Sequence, residues 1–212
     1  MEGAAQQCAA FFLIPKYPGA AIKCILLIMA QEEKNQSVFA MLAEIFREAG
    51  IKAMLIGGYA VNAYHHARYT NDIDFMIVAG DFPKVGKLLQ KSGYQEIMRT
   101  DLFIRLKSSY GDETILDFLL IDPATMEKMQ KDGKETTIAG ETFSLPSIFH
   151  LIAMKLHAIK NSKHARQLVD FPDIIAILEK NGINVYDASF KQMCLKFGTA
   201  ELYDEIVKHF NR

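Results

Sequence analysis

The sequence predicts an α/β or α+β protein, a sheet with helices on one side, and three features carry that reading. Helical and strand periodicities alternate from residue 37 onward, "DIDFMIV" alternates apolar with polar residues, and further strand-like runs follow one another. Val38, Met41, Leu42, Ile45 and Phe46 repeat at helical spacing, and Gly50 sits where a C-terminal glycine cap would end that helix. "KAMLI" reads as a short buried strand, Gly57-Gly58 as a tight turn, and "YAVNAYHHA" as a second helix. "DIDFMIV" is the next strand, and "FPKVGKLLQKSG" a helix starting near Pro83 and closing at Gly93. "YQEIM", "DLFIRLKS" and "ETILDFLLI" read as three more strands, with Gly111-Asp112 turning between the last two. Asp122, directly before Pro123, ends the last strand and caps the helix that follows.

The C-terminal part is helical. Ile148, Leu151, Ile152, Met154 and Leu156 supply one apolar face, and Leu168, Phe171, Ile174, Ile175 and Leu178 a second. Beyond residue 182, two short helices split at Gly198 pack Phe190, Met193, Leu195 and Leu202.

Composition narrows the class. With 212 residues, half of them hydrophobic, the chain can bury a core in one domain plus a smaller companion. Its 24 basic and 25 acidic residues leave a net charge of -1, so no global charge advertises nucleic acid or an acidic membrane. Cys8, Cys24 and Cys194 are scattered and read as free thiols, which suits a reducing cytoplasm. Residues 1–28 lack a basic leader region, and Pro15, Lys16, Pro18 and Lys23 interrupt their apolar runs, so neither secretion nor a membrane anchor is expected. They read either as an N-terminal arm or as a segment ahead of a natural start at Met29.

Chemistry concentrates in "LIGGYAVNAYHHARYTNDIDF". Residues two apart on a strand share a face, so Asp72 and Asp74 set two carboxylates side by side while Ile73 and Phe75 face the core. Adjacent anions repel unless a cation lies between them, and hard oxygen donors suit Mg²⁺, which keeps positions for water and substrate phosphates. Gly57 and Gly58, at the start of a helix, let a phosphate approach the backbone without a Cβ in the way. Asp117 lies inside an apolar strand, where an aspartate is costly unless paired or metal-bound. On a neighbouring strand it would complete a three-carboxylate site able to hold two metal ions about 3.5 to 4 Å apart.

These residues resemble the signature of the DNA polymerase β-type nucleotidyltransferase superfamily: a glycine turn, a helix, D-x-D, and a later aspartate on an adjacent strand. With Arg68 and Thr70 ahead of the aspartates, the run is similar to the AbiEii-type toxin nucleotidyltransferases and their uncharacterised relatives, over roughly residues 37–180. The resemblance implies an α+β minimal nucleotidyltransferase fold, with a core at 29–145 and a helical subdomain at 146–212. It implies Asp72, Asp74 and Asp117 as catalytic metal ligands for Mg²⁺, and Gly57, Gly58, Arg68 and Thr70 as nucleotide-binding residues. Lys155 is then expected near the nucleotide as part of the catalytic set, and Asp170 and Asp173 are expected to shape the site. The family often carries an arginine directly before the first of those aspartates; here Val169 stands there and Arg166 lies four positions back.

Two functions follow as expectations. One is transfer of a nucleoside monophosphate from NTP to a hydroxyl on tRNA, protein or a small molecule, in the manner of a toxin. The other is a non-catalytic protein, such as the antitoxin partner in a pair, against which the three carboxylates argue. His65 and His66 lie ahead of Arg68, and His150, His157 and His164 recur every seven residues; none is assigned chemistry. Lys160, Lys163 and Arg166 read as a solvated loop rather than an RNA contact.

Overall fold

The computed structural model describes residues 38–64, 66–109, 114–162 and 166–211. The N-terminal segment with Met29, Cys8 and Cys24, the Gly111-Asp112 turn, and His65, Lys163 and His164 lie outside the described residues.

Helix α1, residues 38–49, buries Val38, Phe39, Leu42, Ile45 and Phe46. It ends at Gly50, whose φ of 66° places it in the left-handed region. Gly50 N–H donates to Arg47 O and Ile51 N–H to Phe46 O, the paired bonds of a Schellman cap. Strand β1 is only Met54–Leu55, and α2 spans Gly57–Ala63. The two glycines are therefore the first residues of the helix rather than a turn ahead of it. Then come β2 (Asp72–Val78), α3 (Phe82–Lys91), β3 (Tyr94–Arg99), β4 (Phe103–Ser108) and β5 (Ile115–Ile121). Helix α4 (Pro123–Lys131) starts as read: the Asp122 carboxylate accepts from Thr125 N–H at 2.9 Å, with Pro123 in the first turn.

A hairpin follows that periodicity does not reveal, β6 (Lys134–Ile138) and β7 (Glu141–Leu145). Its sequence, "KETTIAGETFSL", is mostly polar because β6 is an edge strand with much of its surface in solvent. The loop is Ala139-Gly140, both residues at positive φ, so the hairpin lacks the Asn-Gly or Asp-Gly that marks such turns.

The strands form one mixed seven-stranded sheet in the order β3-β4-β5-β2-β1-β7-β6. β2 runs parallel to β5 and antiparallel to β1, while β1 joins β7 in parallel through Met54 and Ser144. Ile73, Phe75, Ile77, Leu116 and Phe118 point into the main core with α1 and α2, as the alternation predicts. The opposite face carries a smaller cluster of Met54, Ile56, Met76, Met126 and Met129, where α4 packs.

The last four helices are α5 (Ile148–Asn161), α6 (Gln167–Lys180), α7 (Ala188–Phe197) and α8 (Ala200–Phe210). Leu151, Leu156, Ile174, Leu178, Phe190 and Ile206 join the same core cluster as the sheet. Leu168 does not belong to that inward face: it is 84% exposed, because the buried stripe of α6 begins with Asp170 and Asp173. No helix among the described residues is long and apolar enough to cross a membrane.

Candidate active site

Strand register builds the site. Asp74 is the direct partner of Asp117 across the parallel β2–β5 pair, and Asp117 the direct partner of Arg105 across the antiparallel β4–β5 pair. Neighbouring strands lie about 4.8 Å apart, so the three side chains form one row on the face away from the main core. Asp72, two residues before Asp74, projects from the same face at the mouth of the row.

The glycine pair is packed against this row. Gly57 has φ 61°, and a Cβ there would lie 2.0 Å from Asp74 Oδ2. A Cβ on Gly58 would lie 2.6 Å from Thr70 Oγ1. The sequence suggested that the missing Cβ atoms make room for a phosphate; the structure fills that room with Asp74 and Thr70. Gly57→Ala is accordingly expected to destabilise the protein by about 2 kcal/mol or more, from the left-handed backbone together with displacement of Asp74. Urea unfolding checks this, and a change within about 0.5 kcal/mol would show that the contact relaxes freely.

Asp117 is buried and its charge is met by Arg105, whose Nε donates to Oδ1 at 2.8 Å and Nη2 to Oδ2 at 2.6 Å. Nη2 also lies 3.7 Å from Asp72 Oδ2. Sequence reading passed over Arg105. The signal was present, since "DLFIRLKS" folding back on "ETILDFLLI" brings Arg105 opposite Asp117. Asp74 is pushed up to about 6 by burial first, then by the charges of Asp117 and Asp72, against smaller opposing effects from Arg166 and Lys155. A carboxylate so placed calls for a cation.

A second charged group faces the first. Lys155 Nζ on α5 donates to Asp170 Oδ1 and to Asp173 Oδ2 on α6, each at 2.7 Å, and all three side chains are buried. Arg68 Nε lies 2.9 Å from Asp173 Oδ1, His66 Nε2 3.8 Å from the same oxygen, and Arg166 Nη1 3.9 Å from Asp170 Oδ2. Arg68, expected at the nucleotide, thus pairs with α6. Asn62 fixes its backbone by accepting from Arg68 N–H and donating to Arg68 O. Thr70 Oγ1 lies 3.3 Å from Asp72 O, tying the approach loop to the first aspartate.

Between the two groups lies a cavity of about 290 Å³. Asp74, Asp117 and Gly57 form one wall, Lys155, Asp170 and Arg166 another, and Ile56, Phe103, Leu119 and Met154 give it a largely apolar lining. A wider cleft of about 430 Å³ between α3 and β3 is lined by none of these carboxylates, so the smaller cavity is the functional candidate. Among the described residues, no three Asp, Glu, His or Cys side chains converge as a ready metal cage. Mg²⁺ needs none, since one or two carboxylates with substrate phosphates and water complete its shell.

By sequence, the chain matches no family model and no curated protein. By structure it is similar to the antibiotic-resistance factor ANT(2'')-Ia: its solution structure is 17% identical, with TM-score 0.55, 85% of this chain and 92% of that one covered. The same factor in complex with adenylyl-2''-tobramycin is 15% identical, with TM-score 0.57, covering 84% and 99%. The lincosamide antibiotic adenylyltransferase LnuA, lincomycin-bound, is 19% identical, with TM-score 0.50, covering 68% and 94%. These likenesses establish the fold: α+β, a nucleotidyltransferase-type mixed sheet followed by helices.

Proposed function

We propose that this chain is a Mg²⁺-dependent nucleotidyltransferase, moving a nucleoside monophosphate from NTP to a hydroxyl acceptor. The observation that supports it most is the register pairing of Asp74 with Asp117 beside Asp72, at the wall of a cavity large enough for part of a nucleotide. The donor set fits a hard divalent cation, which takes one or two carboxylates and leaves the rest of its shell to phosphate and water. Asp74 stands directly beside Asp117, with Asp72 on the same sheet face, and Asp74 is pushed up to about 6 chiefly by burial and its neighbours' charge. When bound, the cation would polarise the α-phosphate and offset the charge of the leaving pyrophosphate.

The chain's own residues do the rest. Gly57 and Gly58 seat Asp74 and Thr70 and hold the start of α2 against the carboxylates. Lys155 and Arg166 lend positive potential to the cavity, which both exert on Asp74. Arg68, Asp170 and Asp173 fix the helical wall opposite the sheet. Transfer proceeds by in-line attack: the acceptor oxygen bonds to the α-phosphorus, the bond to the bridging oxygen breaks, and pyrophosphate departs. A carboxylate oxygen of Asp117 receives the acceptor's proton. In this assignment residues 29–145 carry the chemistry and 146–212 close the cleft.

The likeness to ANT(2'')-Ia and LnuA favours a small-molecule hydroxyl as the first acceptor to try. The resemblance of the glycine and D-x-D run to AbiEii-type toxins favours tRNA or a protein side chain, with a cognate antitoxin as partner. A cytoplasmic location agrees with Cys194 as a buried free thiol pushed up to about 12 by burial.

Calorimetric titration with each NTP and Mg²⁺ tests the reading. Metal-dependent binding of one NTP should vanish in Asp72→Ala/Asp74→Ala. The labelled donor then identifies the acceptor by incubation with total RNA, with cell protein and with aminoglycoside or lincosamide hydroxyls. Absence of NTP binding with every divalent cation would reject catalysis in favour of a partner-binding role.

A further inference from the structure

We propose that Arg105 is a built-in counter-cation, which holds Asp117 until a divalent metal displaces it and thereby sets how tightly the site takes that metal. The proposal rests on the nucleotidyltransferase reading and adds a residue that neither the motif nor the fold assigns.

The geometry argues for exchange. Both Asp117 oxygens accept from one guanidinium in a two-point fork, the strongest pairing a carboxylate makes with a side chain. Asp117 is 5% exposed, and burying it charged demands such a partner. Arg105 itself is not locked in: its side chain is 35% exposed, its ring neighbour Phe103 lies 5.7 Å from Cζ, and Nη2 already lies 3.7 Å from Asp72. A guanidinium with one side open to solvent can swing off Asp117 when a divalent cation enters, and it must release at least one carboxylate oxygen for that cation to bind there, since its fork takes both. The strand places the head group by register, with Arg105 opposite Asp117 and Asp117 opposite Asp74. Arginine and metal thus compete for the same carboxylate. The freed guanidinium stays beside the cavity mouth, where a triphosphate would supply the next anion.

Mn²⁺ binding to the full chain, followed by electron paramagnetic resonance without nucleotide, tests this. Arg105→Ala and Arg105→Gln, the second keeping a neutral donor should the first fold poorly, are expected to bind Mn²⁺ about tenfold tighter than the wild type. Both should melt at a lower temperature without divalent cation, and that deficit should close as Mn²⁺ saturates the site. Lys107→Gln removes an exposed charge two residues along the same face of β4, without a grip on Asp117, and is expected to shift Mn²⁺ affinity about twofold at most. Unchanged or weaker Mn²⁺ binding in both Arg105 variants overturns the proposal, since Arg105 would then support the ligand rather than compete with the metal. A Lys107→Gln effect as large as Arg105→Gln also overturns it, because Arg105 would act only as one charge among several. If neither the wild type nor any variant binds Mn²⁺, the exchange and the metal-dependent reading fall together. Wild-type binding without the Arg105 effect removes the exchange alone.

Discussion

Lys155→Met should remove about 3 to 5 kcal/mol of stability. The ammonium is the shared partner of Asp170 and Asp173, whose side chains are only 5% and 2% exposed, and methionine leaves both carboxylates buried without it. Arg68 remains at Asp173, but among the described residues Asp170 keeps only Arg166, at 3.9 Å across a more exposed rim. Urea unfolding at constant m-value measures the loss. Adding Asp170→Asn and Asp173→Asn to Lys155→Met should recover much of it, because the uncompensated charges disappear with their partner. A loss below about 1 kcal/mol would mean that the three groups behave as a solvated surface cluster, against their burial.

Asp74→Asn should act in the opposite direction on stability while removing cation binding. The folded protein raises Asp74 from 3.8 to about 6, so it holds a proton over a range where the unfolded chain has lost it. Stability from this group is therefore full below about pH 4 and falls as pH rises through 6, where the buried charge must be borne. Asparagine cannot ionise, so at pH 7.5 the variant should exceed the wild type by roughly 2 kcal/mol, while at pH 4 the two should agree. Thermal melts at both pH values without divalent cation give the comparison, and Mn²⁺ titration should find binding lost. Equal stability at pH 7.5 would show that neighbouring cations already neutralise Asp74. A residue that weakens the fold and serves the ligand is the expected signature of a functional site.

Local chemistry was legible where the period and the caps were strong. The alternation that turns Ile73 and Phe75 inward also turns Asp72 and Asp74 outward, and this follows from strand geometry alone. Asp117 could be named because an aspartate in "ILDFLL" has no inexpensive reason to be there. What escaped depends on partners distant in sequence. Arg105 gains meaning only once β4 lies against β5 in register, and Lys155, named near the nucleotide through the family resemblance, shows its pairing with Asp170 and Asp173 only once α5 and α6 are packed together. Leu168 failed for the same reason: helical period says which residues share a face, and the buried ion cluster decides which face turns in. The β6–β7 hairpin was missed because an edge strand needs little apolar surface and its turn uses Ala139 rather than asparagine.

Strand β1 has a consequence for how the protein is made. It is two residues long, yet it joins β2 on one side to β7 on the other, so the centre of the sheet has no closed form until Leu145 has been synthesised. The β3–β4–β5–β2 half joins segments nearer in sequence, and until β7 arrives Met54 and Leu55 lack their partner on one flank. Pairings between such remote segments close slowly because the intervening chain must first be gathered. Slippage of β2 against β5 by one residue in that interval would turn Asp74 into the core and Phe75 out to water. The apolar core thus fixes the carboxylate register, independently of any nucleotide.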